Sequence, residues 1–218
     1  MSTTKREKAI SVLIADDHPL ALEGVRSILD KAPDIEIVGE AHNGDEIRQM
    51  VAKFRPQILL LDLVMPELSP MELENWVREN YPETITLVLT AHDRDAYLAG
   101  MMEAGAAGYL DKKLRAGQLI SAIRRAARGE MLFDKEQIER ARRWREDVTA
   151  KWESLSDRER EVLQLLTEGA DNKALADSLG VTVNTVEKHL ANIYKKLGVT
   201  SRSEAIHWWV EKITDFRN

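Results

Sequence analysis

The chain contains no cysteine, so disulfide bonds, thiol nucleophiles and cysteine-ligated zinc sites are excluded. It has no apolar run approaching the roughly 20 residues that a transmembrane helix needs. Residues 1–9 are charged and no long apolar core follows them, which argues against a secretory signal. These absences predict a soluble cytoplasmic protein. An apolar fraction of 44% over 218 residues is enough for the cores of one or two domains.

The chain also lacks an excess of positive charge, because 37 acidic residues outnumber 31 Lys and Arg residues and give a formal net charge of −6. The net charge is −4 for residues 1–129, −1 for residues 130–153 and −1 for residues 154–218. Nucleic-acid-binding domains are usually basic overall, and none of these three segments is. Residues 182–202 nevertheless carry a local excess of +3. This local charge governs the attraction of a neighbouring polyanion more than the net charge of the domain does, because salt screens charges beyond a Debye length of ~8 Å.

Within a first domain predicted at residues 1–129, residues 10–129 alternate short apolar runs with helical patterns. Five β–α units of this kind predict a parallel sheet covered by helices on both faces. The expected fold is a flavodoxin-like, doubly wound, five-stranded parallel sheet with the strand order two-one-three-four-five, which places strands one and three side by side. The predicted strands lie near residues 11–16, 35–39, 57–62, 85–90 and 107–111, and the predicted helices near residues 20–31, 44–54, 71–79, 94–104 and 115–128.

Polar side chains follow four of the predicted strands, namely Asp16, Asp17, Asp62, Thr90 and Lys112. In an open α/β sheet, ligand-binding groups collect beyond the carboxyl ends of the strands, so these side chains are expected to converge. Clustered carboxylates repel one another, and their oxygen ligands suit Mg²⁺. An aspartate can attack phosphorus and form an aspartyl phosphate. A lysine and a hydroxyl can then hold the phosphoryl oxygens.

This order of residues, with the sequence DLVMP starting at Asp62, resembles the response regulators of two-component systems, in particular the NarL/FixJ type. The resemblance implies that Asp62 is the phosphoacceptor and that a partner histidine kinase donates the phosphoryl group. It implies that Thr90 and Lys112 contact that group and that Tyr109 is the switch aromatic. Lys113 follows Lys112, which leaves open which lysine reaches the phosphate, although Lys112 fits the motif register.

The same resemblance implies a Mg²⁺ cofactor at the acidic cluster. Asp17 would bind the ion directly and Asp16 would bind it through water. Asp62 and the backbone carbonyl of Val64 would complete the ligands from the protein. His18, next to this cluster, is interpreted as a loop residue, since no cysteine or second suitably spaced histidine accompanies it.

Residues 130–153 have a different character. Residues 134–147 contain no proline or glycine and many helix formers, which predicts a charged linker helix. One face of that helix could dock or dimerise, since four residues recur at helical spacing: Ile138, Ala141, Trp144 and Arg145. A solvated spacer helix is an equally good interpretation.

Residues 154–218 contain four helical patterns separated by caps and glycines. Capping boxes at Ser156–Glu159 and Ser201–Glu204 open the first and the last helix, and the last is expected to end near Thr214. The middle helices are predicted at Asn172–Leu179 and Val183–Leu197 with a three-residue turn between them, which is a helix-turn-helix pattern. The adjacent Trp208 and Trp209 are not expected to face one core together, so one of them is a candidate for a protein contact. Simple partial exposure of one tryptophan is an equally good interpretation.

The third of these helices has an apolar face and a polar face. Val186, Leu190, Ile193 and Leu197 are expected to face inward, and the opposite polar face, with small Ala191 at its middle, suits a DNA major groove. The module resembles the LuxR-type DNA-binding domain from Leu155 to Val199. Candidate DNA contacts are Lys173, Thr182, Asn184, Thr185, Glu187, Lys188, Asn192, Lys195, Lys196 and Arg202.

The sequence therefore predicts a DNA-binding transcription regulator that phosphorylation of Asp62 switches, that dimerises on activation, and that is not an enzyme. Three alternatives were weighed. A regulator that works without phosphate conflicts with the intact acidic site. A Mg²⁺-dependent phosphatase would want a second aspartate where Val64 stands. A quorum-type sensor of a lipid-like ligand would need an apolar pocket instead of a phosphorylation site.

Overall fold

The computed structural model describes residues 9–66 and 68–212, and the side chains of these residues up to residue 210. The chain divides into two compact units, Met1–Ala141 and Arg142–Asn218. Within the described ranges, no helix combines the length and the apolar character needed to cross a membrane.

The first unit contains strands β1 Ile10–Ala15, β2 Ile35–Ala41, β3 Ile58–Leu61, β4 Ile85–Thr90 and β5 Gly108–Asp111. Its helices are α1 Pro19–Leu29, α2 Gly44–Phe54, α3 Pro70–Asn80, α4 Asp95–Ala104 and α5 Ala116–Ala126. All strand pairs are parallel and the sheet order is β2-β1-β3-β4-β5. The predicted flavodoxin-like, doubly wound fold is confirmed.

The central strand β3 is apolar and buried along its whole length, and β1 and β4 are buried over most of theirs, because helices cover both faces of the sheet. On one face, Val12 and Ile14 of β1 join a core cluster with Leu22 of α1 and Ile123 of α5. Leu13 lies between them, points to the opposite face because strand side chains alternate, and is fully buried there. This two-sided burial leaves the strand ends as the places where polar side chains can gather.

The second unit contains helices α7 Asp157–Thr167, α8 Asn172–Leu179, α9 Val183–Leu197 and α10 Arg202–Lys212. The predicted bounds of α8 and α9 are confirmed, while the predicted end of the last helix near Thr214 lies outside the described residues. The apolar face of each helix supplies the core of this unit, whose fully buried side chains include Val162, Leu163, Leu166, Leu175, Val186 and Ile193.

Side-chain caps define the starts of these helices. Ser156 accepts from the backbone N–H of Glu159, and Glu159 accepts from that of Ser156, so the first capping box is confirmed. The second box is shifted by one residue. The Glu204 carboxylate accepts from the backbone N–H of Thr200, whereas Ser201 accepts from that of Glu204. The prediction of a reciprocal Ser201–Glu204 box was therefore wrong, because the carboxylate reaches one residue further back.

Helix α6, Lys135–Ser154, begins in the first unit and ends in the second. It is a 20-residue helix that extends beyond residues 134–147, where a linker helix was predicted. Ala141, Trp144 and Val148 are buried along one side, whereas Ile138 is 50% exposed. Of the four residues predicted to share one face, Ala141 and Trp144 are thus buried and Ile138 is half exposed, and the choice between a docking face and a solvated spacer helix stays a prediction.

The structure corrects the expectation for the tryptophan pair. Trp208 and Trp209 are both buried in the second unit, at 6% and 8% exposure. The Trp209 ring packs edge-on against Trp152 of α6, with the ring centroids 5.5 Å apart. The C-terminal part of α6 adds an apolar surface to this unit, so two adjacent tryptophans both find cover.

An acidic side chain lies in the core of the first unit. Glu74 of α3 is 1% exposed, and neither carboxyl oxygen has a hydrogen-bond partner of ordinary geometry among the described residues. Burial raises the pKa of Glu74 to about 7, against smaller opposing effects of Thr86 and Arg78. The core therefore holds Glu74 most readily as a neutral acid.

We predict that Glu74 makes the stability of the protein depend on pH. Below its ordinary pKa of 4.5 the group is protonated in both states, so it has no effect. Between pH 4.5 and about pH 7, Glu74 loses its proton in the unfolded state but keeps it in the folded state, so the free energy of unfolding falls as pH rises. The total loss is about 3 kcal/mol, from ~1.4 kcal/mol for each unit of pKa shift.

Urea unfolding at about pH 5 and about pH 8 measures this loss in the wild type. Glu74→Gln should remove most of the difference between the two pH values. Glu79→Gln, an exposed site on the same helix, is the matched control and should retain the difference. Equal pH dependence in the wild type and Glu74→Gln would contradict the prediction.

Candidate functional site

Three carboxylates meet at the carboxyl edge of the sheet. Asp16 and Asp17 follow β1, and Asp62 follows β3, whose last residue pairs with that of β1. The backbone N–H of Asp62 donates to the carbonyl of Ala15 at 2.9 Å, which continues the ladder and fixes the height of Asp62 beside Asp16. Asp16 and Asp62 are each only 3% exposed. The expected convergence of these residues is thus present in the fold.

Lys112 lies between two of these carboxylates. Its Nζ is 2.7 Å from Asp16 Oδ2 and 2.7 Å from Asp62 Oδ2. Partial burial lowers the pKa of Lys112, but hydrogen bonds to Asp16 and Asp62 raise it by more, so its pKa is above the ordinary value. Lys113 is 87% exposed and its Nζ is 4.0 Å from Asp111. Of the two lysines, Lys112 is the one that reaches the cluster.

The cluster is compatible with a divalent cation. One oxygen from each of Asp16, Asp17 and Asp62 and a nitrogen of His18 lie within 4.8 Å of one another. Asp17 Oδ1 is buried without a hydrogen bond, and its near neighbour is His18 Nδ1 at 2.7 Å. A buried carboxylate oxygen that accepts no hydrogen bond is suited to a cation as its partner. Val64 lies in the loop after β3 and its side chain is 40% exposed.

The two predicted switch residues lie on neighbouring strands, Thr90 at the end of β4 and Tyr109 in β5. Thr90 is 2% exposed, and its Oγ1 accepts from the backbone N–H of His92 at 3.2 Å. Tyr109 of β5 is 5% exposed, and its hydroxyl donates to the carbonyl of His92 at 2.5 Å. Burial raises the pKa of Tyr109 well above its ordinary value. Both side chains therefore hold the same peptide segment just before α4.

Sequence reasoning missed the charged groups beside these switch residues. Arg140 of α6 forms ion pairs with Asp93 and Asp95, with shortest distances of 2.7 and 2.6 Å. The pairs join residues 47 and 45 positions apart. No local motif signals a pairing over that separation, because only the packing of α6 in this unit brings the residues together.

In the second unit, the predicted recognition helix α9 has the expected division of faces. Val186, Leu190, Ile193 and Leu197 are buried. The opposite side is exposed and contains Asn184, Glu187, Lys188, Ala191, Asn192 and Lys195. Lys173 at the start of α8 is also exposed. A polar exposed face on the second helix of a helix-turn-helix is the surface that such domains present to DNA.

Other predicted DNA contacts have partners inside this unit. Lys196 Nζ is 2.6 Å from Glu159, the buried acid of the α7 capping box. The Arg202 guanidinium donates to the carbonyl of Ala170 and to Asn172 Oδ1. Thr182 caps α9, and its hydroxyl lies 2.9 Å from that of Thr185. These four residues therefore have partners within the unit itself and help to fix its helices.

Comparisons with known proteins agree with both halves of this description. The family described as "Response regulator receiver domain" matches residues 12–124, and the family "Bacterial regulatory proteins, luxR family" matches residues 153–209. The transcriptional regulatory protein DegU of Brevibacillus brevis is 31% identical, with 94% of this chain and 95% of DegU covered. The response regulator protein VraR of Staphylococcus aureus is 32% identical, covering 90% of this chain and 94% of VraR.

Solved structures of similar proteins extend the comparison to the three-dimensional fold. RcsB of Salmonella enterica serovar Typhimurium, bound to promoter P1flhDC in the presence of the phosphomimetic BeF3−, has a TM-score of 0.68 and 26% identity. The alignment covers 94% of this chain and 99% of RcsB. Response regulator ChrA of a heme-sensing two-component system is 33% identical with a TM-score of 0.56, covering 94% and 98% of the two chains.

The two family matches fall one in each unit of the fold, and the relatives align with nearly the whole chain. The chain therefore belongs to the two-component response regulators of the NarL/FixJ type and is a DNA-binding transcription regulator, not an enzyme.

Proposed function

We propose that Asp62 is the phosphoacceptor and that its phosphorylation by a histidine kinase switches the DNA-binding activity of this chain. The observation that supports this most directly is the placement of the Asp62 carboxylate. It is almost fully buried, it sits at the carboxyl end of β3, and Lys112 bridges it to Asp16. This arrangement suits Asp62 to act as the nucleophile and places Lys112 where its ammonium can bind the oxygens of a phosphoryl group on Asp62.

The two oxygens of Asp62 are in different environments. Oδ1 accepts from the backbone N–H of Leu63 at 2.8 Å, which orients the carboxylate, and Oδ2 faces Lys112. In phosphoryl transfer, an Asp62 oxygen forms a bond to phosphorus while the bond between phosphorus and the donor imidazole breaks, and the imidazole takes up a proton. Lys112 then balances charge on the phosphoryl oxygens, and Thr90 donates a hydrogen bond to one of them.

The cation at the cluster is proposed to be Mg²⁺, which when bound offsets negative charge on the phosphoryl oxygens. Asp17 and Asp62 would hold it directly, Asp16 would hold it through water, and the carbonyl of Val64 would supply a further ligand. The buried Asp17 oxygen without a hydrogen bond supports this assignment. His18 is a weaker candidate, because Mg²⁺ prefers oxygen ligands and the imidazole is 68% exposed.

For the DNA-binding unit we propose that α9 enters the major groove. Lys188 and Glu187 lie in the N-terminal half of its exposed face, where such helices contact base edges. Lys195 and Lys173 are exposed and suited to phosphates. Residues 154–218 carry a net charge of −1, so electrostatic attraction of a single copy to DNA is weak. Two copies would bind one site more effectively than one, and we propose a homodimer on activation.

The first prediction of this proposal concerns the phosphoacceptor. Incubation with acetyl phosphate and Mg²⁺ should add one phosphoryl group to the wild type, as measured by intact mass. Asp62→Asn should abolish the adduct because the nucleophilic carboxylate is gone. Asp111→Asn, an exposed carboxylate at the end of β5, is the control and should keep it. An adduct that persists on Asp62→Asn would disprove the assignment.

A second prediction concerns the cation. Millimolar Mg²⁺ should raise the melting temperature of the wild type, since a ligand that binds only the folded state stabilises it by mass action. Asp17→Asn should remove most of that increase, because it neutralises a direct ligand. Asp45→Asn, an acidic residue in the first turn of α2, is the control and should respond as the wild type does. A melting temperature that rises equally in Asp17→Asn would contradict the ligand assignment.

A third prediction separates base contacts from phosphate contacts on α9. Lys188→Ala should cost roughly 1–3 kcal/mol on a selected binding site and relax its sequence preference. Lys195→Ala should weaken selected and scrambled duplexes about equally and lower the salt slope by about one. Titrations on both duplexes at several salt concentrations measure this difference. Identical behaviour of the two variants would exclude a base-reading role for Lys188.

Lys196 needs separate treatment, because its ammonium is paired with the buried Glu159. Lys196→Ala should weaken DNA binding and also lower the melting temperature, since it leaves a buried carboxylate without its charged partner. Lys195→Ala, one residue earlier and exposed, should change DNA binding alone.

A further inference from the structure

The start of α6 is clamped to the segment that precedes α4. The Arg140 guanidinium donates from Nη1 and Nη2 to both carboxylate oxygens of Asp93, at 3.0 and 2.7 Å. It also donates from Nε and Nη2 to Asp95 Oδ1, at 2.8 and 2.6 Å. A guanidinium that holds two carboxylates through several parallel hydrogen bonds defines position more strictly than a single ion pair does.

A second contact of α6 runs to β5. Gln137, one turn before Arg140, donates from Nε2 to the backbone carbonyl of Tyr109 at 2.8 Å. The chain approaching α6 also follows this strand closely. The backbone N–H of Leu132 donates to the carbonyl of Ala107 at 2.7 Å, and a Cβ added to Gly108 would lie 2.9 Å from the Leu132 Cβ. The approach to α6 therefore depends on the missing side chain at Gly108.

The residues that hold Arg140 share a short peptide segment with the switch contacts. Thr90 Oγ1 accepts from the N–H of His92, and the Tyr109 hydroxyl donates to the carbonyl of His92. Asp93 and Asp95 follow within three residues. A cavity of about 240 Å³ is bordered by Thr90, Tyr109, Asp93 and Arg140. Any displacement of this segment therefore moves the carboxylates away from the guanidinium or towards it.

We propose that the pairing of Arg140 with Asp93 and Asp95 is a latch that holds the start of α6 on the unphosphorylated receiver and that phosphorylation of Asp62 opens. This inference rests on the proposed function of Asp62. A phosphoryl group on Asp62 draws the Thr90 hydroxyl towards it and carries the segment of His92 along. Asp93 and Asp95 then lose their alignment with Arg140.

The latch has the properties that a reversible contact needs. Asp93 and Asp95 remain 64% and 43% exposed, so water can replace the guanidinium when the pair opens. A phosphoryl group or its mimic that is bound modestly more tightly in the open state than in the latched state is then enough to shift the population between the two. The far end of the same helix belongs to the DNA-binding unit through Trp152 and Trp209. Opening the latch would thus free the start of a helix whose end is anchored in that unit.

The test uses the full chain with Mg²⁺ and beryllofluoride, the phosphoryl mimic. Because coupling is reciprocal, a variant that lacks the latch should bind beryllofluoride roughly 5-fold or more tightly than the wild type. Arg140→Ala removes the latch from one side and Asp93→Asn weakens it from the other, so a folding defect in one variant leaves the other informative. Arg140→Lys keeps the charge without the fork and should be intermediate. Titration calorimetry measures the affinities.

The matched control is Arg26→Ala. Arg26 also forms a two-bonded pair with a carboxylate, Glu40, but far in sequence from the switch segment. It should leave beryllofluoride affinity unchanged. Hydrogen exchange supplies a second reading: beryllofluoride should speed exchange of amides 138–141 in the wild type, and in Arg140→Ala these amides should exchange fast without it. A purely structural role for Arg140 would lower the melting temperature without changing beryllofluoride affinity.

The outcomes separate the latch from the proposed function. If the wild type binds no beryllofluoride and acetyl phosphate gives no adduct on Asp62, the proposed phosphoacceptor is wrong. If both occur but Arg140→Ala and Asp93→Asn bind beryllofluoride as Arg26→Ala does, the phosphoacceptor stands and the latch is wrong. Tighter binding in both latch variants, with unchanged binding in the control, supports the latch.

Discussion

The Lys112 ammonium between the buried Asp16 and Asp62 carboxylates is the interaction on which the receiver depends. A parallel sheet brings the carboxyl ends of its strands to one edge, so polar residues that follow the strands are forced together. Two carboxylates at 3% exposure cannot remain charged there without a cation or hydrogen bonds. Lys112, which follows β5, supplies that cation, and its Nζ lies 2.7 Å from an oxygen of each carboxylate.

A second consequence of the parallel sheet is that β4, the strand next to β3, leads directly to the peptide segment that Thr90 and Tyr109 hold. β4 ends at the buried Thr90, and the backbone of His92 is held by Thr90 from one side and Tyr109 from the other. Asp93 and Asp95 follow, their side chains are about half exposed, and both pair with Arg140 of α6. Only a few peptide units therefore separate Thr90, at the edge of the sheet, from the two carboxylates that contact α6.

The second unit is organised by different means. The first backbone N–H groups of its helices have no partner within the helix, so side chains accept from them. Asp171 caps α8, Thr182 caps α9, and Ser156 with Glu159 caps α7. Several charged residues near the recognition helix serve this framework, such as Lys196, which pairs with Glu159. The residues left exposed on α9 are then the ones free to contact a ligand without disturbing the fold.

The sequence by itself determined the parts of this protein that depend on local pattern. Apolar runs, helical periodicity and capping residues predicted the strand order and the bounds of α8 and α9, since these follow from spacing along the chain. The grouping of Asp16 with Asp62 also followed, because parallel order makes it a geometric necessity. Only the tertiary structure decided that Lys112 bridges these carboxylates, that Trp208 and Trp209 are both covered, and that Arg140 pairs with Asp93 and Asp95. Each of these contacts joins residues distant in sequence, and side-chain packing that carries no local signal brings them together.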